Sequence, residues 1–273
     1  MTPVRQKFKN PPLIERAISV VFEPLAGLAI GDFGLFWAEI LSEFPVSEAM
    51  QPVPTEIESF DGFRPKQAGF QILSAESLPR AAFRNPSNGE LVQLQSDRFG
   101  FNWIKTSDDH KYPHSEATME RFCDLFQKFS KYIERRQLGP INIIQCELNN
   151  VNIVPVSDVG ESFADMATVL RLAPLEYEYS NIRLENQLVG SKHIMLDDAG
   201  KAVGRVHTLG QPSLRVPNNE EAYRLDIMAR GAPIGSGLEG VRHFFDAAAS
   251  AVNAVFLAST TNAGRRFWGE SGG

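Results

Sequence analysis

Apolar residues recur at helical spacing in three places along the chain and at strand spacing through most of the remainder. Phe33, Phe36, Trp37, Ile40, Leu41 and Phe44 fall on one stripe, which predicts a helix capped by Asp32 and ended by Pro45. Met119, Phe122, Phe126, Phe129 and Ile133 follow at steps of three and four, a second helix opened by Ser115 and stopped near Gln137 by Gly139 and Pro140. Residues 238–258 give the third. Between these, residues 17–22, 56–60, 70–75, 80–84 and 90–104 read as strands, with a hairpin turn over 85–89. In the second half, 141–154, 176–188, 193–196, 202–209 and 223–229 read as strands and 163–172 as a short helix. Asp197 to Gly200 supplies turn chemistry between two of these strands.

Both halves therefore run strand, helix, several antiparallel strands, long helix. The predicted fold class is α+β: a curved antiparallel sheet built from two similar halves, 1–139 and 140–273, sharing one core with long helices packed on one face. The stretch from Gln93 to Lys105 disturbs this pattern. Val92 and Leu94 share one parity, whereas Phe99, Phe101 and Trp103 take the other, and an alternating strand does not switch. A bulge near Asp97 would return the aromatic rings to the core and leave Gln93, Gln95, Arg98 and Asn102 as a polar stripe on the opposite face. Without a bulge, the rings would form a platform for bases or a partner.

Length and composition narrow the classes. A chain of 273 residues with 43% hydrophobic content supports a sizeable core, and a net charge of -6 opposes nonspecific attraction to nucleic acid or anionic lipid. The apolar run 247–258 is broken by Ser250 and Asn253, short of a membrane span, so a cytoplasmic protein without membrane contact is expected. Cys123 and Cys146 lie among apolar neighbours and read as reduced core thiols.

Candidate chemistry is sparse. Gly235 to Gly240 matches GxGxxG before a helix, but no parallel strand and no acidic residue follow at dinucleotide spacing. Asp108, Asp109, His110, His114 and Glu116 cluster metal-capable groups, yet Pro113 separates the histidines, and a solvated loop before the Ser115 helix accounts for them. His193, His207 and His243 have no partner at motif spacing. Lys128, Lys131, Arg135 and Arg136 form the polar side of the second helix. No metal or organic cofactor is called for.

Three segments resemble a sporadically distributed family of uncharacterised bacterial proteins of about this length: Asn10-Pro-Pro-Leu-Ile-Glu15, the stretch from Gln93 to Trp103, and the closing Thr260-Thr-Asn-Ala-Gly-Arg-Arg-Phe-Trp-Gly269. The resemblance implies an accessory protein of prokaryotes and carries over no catalytic residues. Glu147 and Leu148 depart from the more basic, glycine-containing pattern it leads one to expect. The element order also resembles the duplicated saddle of the TATA-box-binding protein.

The expected function is non-enzymatic protein binding or assembly, with Gln93, Gln95, Arg98, Asn102 and Trp103 as the candidate binding residues. Nucleic-acid or nucleotide binding through the sheet face is the alternative, an enzyme of unfamiliar type the third reading, and self-association is left open.

Overall fold

A computed structural model describes residues 7–60, 78–107, 110, 112–173, 181–182, 184–216 and 218–271. The elements in chain order are β1 (Lys7–Phe8), β2 (Leu13–Phe22), α1 (Ile30–Ile40), β3 (Val46–Met50), β4 (Arg80–Asn85), β5 (Glu90–Gln95), β6 (Arg98–Ile104), α2 (Ser115–Arg136), β7 (Ile143–Pro155), β8 (Val189–Leu196), β9 (Ala202–Arg215), β10 (Glu220–Gly231), α3 (Gly237–Ser259), α4 (Asn262–Phe267) and β11 (Glu270–Ser271). One open antiparallel sheet of nine strands runs in the order β3-β4-β5-β6-β2-β7-β10-β9-β8. The fold is mixed helix and sheet, and β2 joins β7 at the middle of the sheet.

The parity break has a simpler cause than a bulge. Residues 90–104 form two strands, not one, with Ser96 and Asp97 alone at the turn, so Gln95 pairs with Arg98, Leu94 with Phe99 and Val92 with Phe101. Cross-strand partners in a two-residue hairpin are an odd number of positions apart, and the buried set passes from even to odd numbers as the chain reverses. Phe99, Phe101 and Trp103 consequently share the face of Val92 and Leu94 and are buried.

The helices cover that face. The Phe99 ring lies 5.1 Å from Phe129, 5.5 Å from Phe126 and 6.2 Å from Phe36, while Phe122 meets Phe245 of α3 at 5.7 Å. Phe33, Phe36, Ile40 and Phe44 bury as the stripe on α1 predicts, but Leu41, where the helix unwinds, is exposed. Both cysteines are free and buried in this core, which pushes each thiol pKa up.

Asp32 is not the cap of α1. Ala29 is, and Asp32, three residues on, accepts the Ala29 amide at 2.9 Å and the Tyr132 hydroxyl of α2 at 2.7 Å. Burial raises the Asp32 pKa, but these two donors and Arg136 outweigh it and hold the carboxyl below its usual value, while the Tyr132 hydroxyl is pushed up to about 12. A depressed carboxyl stabilises the fold above its unfolded pKa of about 3.9, and the stabilisation is lost as pH falls through the lower folded value. Asp32→Ala should therefore cost about 2 kcal/mol at pH 7 and progressively less in acid, read from urea unfolding midpoints along a pH series. An equal loss at every pH would rule out the carboxylate as the cause.

Several expectations are corrected. Residues 56–60 form no strand, and the edge strand is β3, which directly follows Pro45. Phe163–Thr168 is 3-10 rather than α-helix, and 184–188 carry no strand. The expected strand at 70–75 and residues 176–180 and 183 of the one at 176–188 lie outside the described residues. The small β1–β11 sheet and α4 were not anticipated. They bring the first and last family-like segments together: the Asn10 amide donates to the Trp268 carbonyl at 3.0 Å, and Trp268 packs on Phe256. Within α4, a Cβ on Gly264 would stand 2.5 Å from the Val169 carbonyl oxygen, so glycine is required there.

Candidate functional site

The far face of the sheet, away from the helices, carries the polar residues the alternation leaves over. A chain of hydrogen bonds crosses four strands. Arg80 donates to Gln93 at 2.8 Å, Gln93 to Asn102 at 2.9 Å, and Asn102 to Glu15 of β2. Glu15 and Asn102 thus join two of the family-like segments directly. A second network spans the middle of the sheet, where Arg98 of β6 pairs with Glu147 of β7 across Ser19. Glu147 also accepts Gln145 at 2.8 Å and faces Arg230 at 3.5 Å.

Residues 51–60 lie as a strap across this face, one end of it held by Gln95 and the other by β9. Gln51 and Val53 each precede a proline, which restricts them to extended backbone, and the prolines offer no amide for strand pairing. Glutamine side chains take the place of a neighbouring strand. Gln95 accepts the Val53 amide at 2.8 Å and donates to the Val53 carbonyl at 3.0 Å. Gln145 accepts the Glu58 amide and donates to the Glu56 carbonyl, both at 2.9 Å.

Each glutamine amide has its second N–H on a carboxylate two residues along its own chain, Asp97 at 2.9 Å and Glu147 at 2.8 Å. The carboxylate fixes which end of the amide is the donor, so the oxygen faces the strap amide. Side-chain contacts complete the strap. Glu56 pairs with Arg230 at 3.0 Å, Glu58 pairs with Arg205 and His207, and the Arg205 guanidinium lies 4.9 Å from the Phe60 ring centre. Burial raises the Glu58 pKa, but His207 and Arg205 together hold it below the usual carboxylate value.

Of the residues singled out from the sequence, Gln93, Gln95, Arg98 and Asn102 share the far face, but they are not an exposed stripe. Gln95, Arg98 and Asn102 retain 5%, 8% and 4% of their accessibility. Trp103 is separated from them, on the helix side, where its Nε1 donates to His110 at 3.2 Å and its ring meets Tyr112. No ring of this segment is available to stack on a base. Gln145, Glu147, Arg205, His207 and Arg230 were missed as members of the site. The repeated signal that marks the clamps, glutamine two residues before an acid in Gln95-Ser-Asp97 and Gln145-Cys-Glu147, is visible in the sequence only once the strap is known.

The accessible part of the far face lies on the outer strands. Ile194 and Leu209 are 57% and 43% exposed there, beside Lys192, Gln211 and Asp226. On the helix side of these strands, Ser191, His193 and Thr208 line a cavity of about 220 Å³ closed by Leu170, Leu172 and Val255. The Ser191 hydroxyl stands 2.8 Å from His193 Nε2 and 2.7 Å from Thr208 Oγ1.

Other candidates resolve as structure. Ile234 and Gly240 close the glycine-rich turn through a 3.0 Å backbone bond, and a Cβ on Gly240 would lie 2.6 Å from Gly235. Lys128, Arg135 and Arg136 of α2 pair with Glu43, Glu39 and Asp32. Asp108 and Asp109 lie outside the described residues, and among those described no cluster of three His, Cys, Asp or Glu residues could hold a metal. Among the described residues no helix is long and apolar enough to cross a membrane. Comparison with protein-family models and with curated proteins finds no match to this chain.

Proposed function

We propose that the protein is a non-enzymatic binding component that presents the far face of its sheet to a protein partner. The observation that carries this reading is the set of exposed apolar residues on the outer strands of that face, Ile194, Leu196 and Leu209. Exposed apolar side chains set among polar ones are a common mark of an interaction site. The buried stripe of Gln93, Gln95, Arg98 and Asn102 then shapes and anchors the face, and the partner meets β8 to β10.

The chain is further read as a duplicated unit, 1–139 and 140–273. Outward from the central β2–β7 pair the order is β6, β5, β4 and then the edge strand β3 on one side and β10, β9, β8 on the other, with α2 following β6 and α3 following β10. Such an order supports two related units that build one sheet.

Affinity purification from the native cells tests the interaction. A protein partner recovered with the unaltered chain should be lost with Ile194→Lys/Leu209→Lys and kept with Leu35→Lys, an exposed position on α1. Equal recovery with all three, or a tightly held small molecule with no protein partner, would contradict the reading.

A further inference from the structure

We infer that the far face is a receptor for an extended acidic peptide, and that residues 51–60 occupy it as a built-in stand-in for that ligand. The inference rests on the reading of the far face as a partner surface and names the chemistry of what it takes. The first ground is the kind of contact. Two glutamine amides, each oriented by its own carboxylate, pair with both the N–H and the C=O of passing backbone, as an added strand would. Such contacts do not depend on the identity of the side chains they hold, so any extended chain can make them.

Charge supplies the second ground. The receptor side places Arg230, Arg205 and His207 where the strap supplies Glu56 and Glu58, and both acids reach toward the sheet from positions two apart, as alternate residues of an extended chain do. A ligand therefore needs acidic residues at that spacing and extended backbone just before them. The span agrees. Five strand spacings of about 4.8 Å separate β5 from β9, and seven extended residues reach about 23 Å.

Because the strap is tethered to its own site, a free ligand competes with a high local concentration, and apparent affinity falls by the fraction of molecules whose site is vacant. Weakening the strap without touching the receptor residues should expose the site.

The test uses the full chain and a fluorescein-labelled peptide with the sequence of residues 51–60. Glu56→Ala/Glu58→Ala protein should bind the peptide at least about ten-fold more tightly than the unaltered protein by fluorescence anisotropy. Adding Gln145→Ala to that variant should abolish binding, and a peptide carrying lysine at both acidic positions should bind at least about ten-fold more weakly. If the double variant does not fold, the single Glu58→Gln protein serves the same purpose. Folded variant protein with no saturable binding at millimolar peptide would overturn the proposal, as would equal binding of the acidic and lysine peptides. Peptide binding without any partner that depends on Ile194 and Leu209 would leave the receptor standing and remove the proposed function. A partner on the outer strands without peptide binding would do the reverse.

Discussion

Arg98→Ala should destabilise the protein by about 3–5 kcal/mol, because it leaves Glu147 charged and buried at the centre of the sheet. Both side chains are about nine-tenths buried, so water cannot replace the lost partner. Ser19 and Gln145 still donate to Glu147 in the variant and Arg230 still faces it at 3.5 Å, but Arg230 is shared with Glu56 and stands farther off than Arg98, so compensation is partial and the loss sits at the lower end of that range. The expectation is asymmetric. Arg98→Met combined with Glu147→Leu removes both charges together and should lie within about 1–2 kcal/mol of the unaltered protein, since a buried ion pair roughly breaks even against apolar isosteres. Urea unfolding of the single and double variants measures both values, and a loss below 1 kcal/mol for Arg98→Ala would show that the pair is solvated.

Phe99→Ala should cost about 3–5 kcal/mol, as expected for the loss of a fully buried ring. Phe99 is fully buried and touches Phe36 of α1 and three rings of α2, so the cavity left behind is bounded by two helices and the sheet and has little freedom to collapse. This result also separates the two uses of the aromatic segment. A stacking platform would lose nucleic-acid binding on substitution with little change in stability, whereas a core ring loses stability first. A Phe99→Ala protein as stable as its parent would return the rings to the surface.

Much of the fold was legible because period and turn chemistry agree over long stretches. The stripes of α2 and α3 and the hairpin turns at 85–89 and 197–200 each rest on local signals that tertiary structure does not override. The hairpin at Ser96 and Asp97 was hidden, since neither residue is a glycine or an asparagine and a parity switch is shared by bulges and two-residue turns. β1 and β11 were hidden for another reason: two residues each, paired from opposite ends of the chain, leave no periodic trace.

Within the candidate site, the facing of Gln93, Gln95, Arg98 and Asn102 could be read from alternation, but their burial could not. What covers them comes from elsewhere in sequence, Val53 on Gln95 and Glu147 against Arg98. Residues 56–60 looked like a strand because extended, proline-flanked sequence is common to strands and to chains held by side chains. Only the partner of the backbone amides distinguishes the two, and here Gln145 is that partner.

Hydrogen exchange of the full chain, alone and with the protein partner it recovers from native cells, tests the central claim most directly. Binding through the far face predicts added protection in Val189–Leu196 and Ala202–Arg215, with α2 and α3 unchanged. Protection confined to α2 or α3, with the outer strands exchanging as in the free protein, would contradict it.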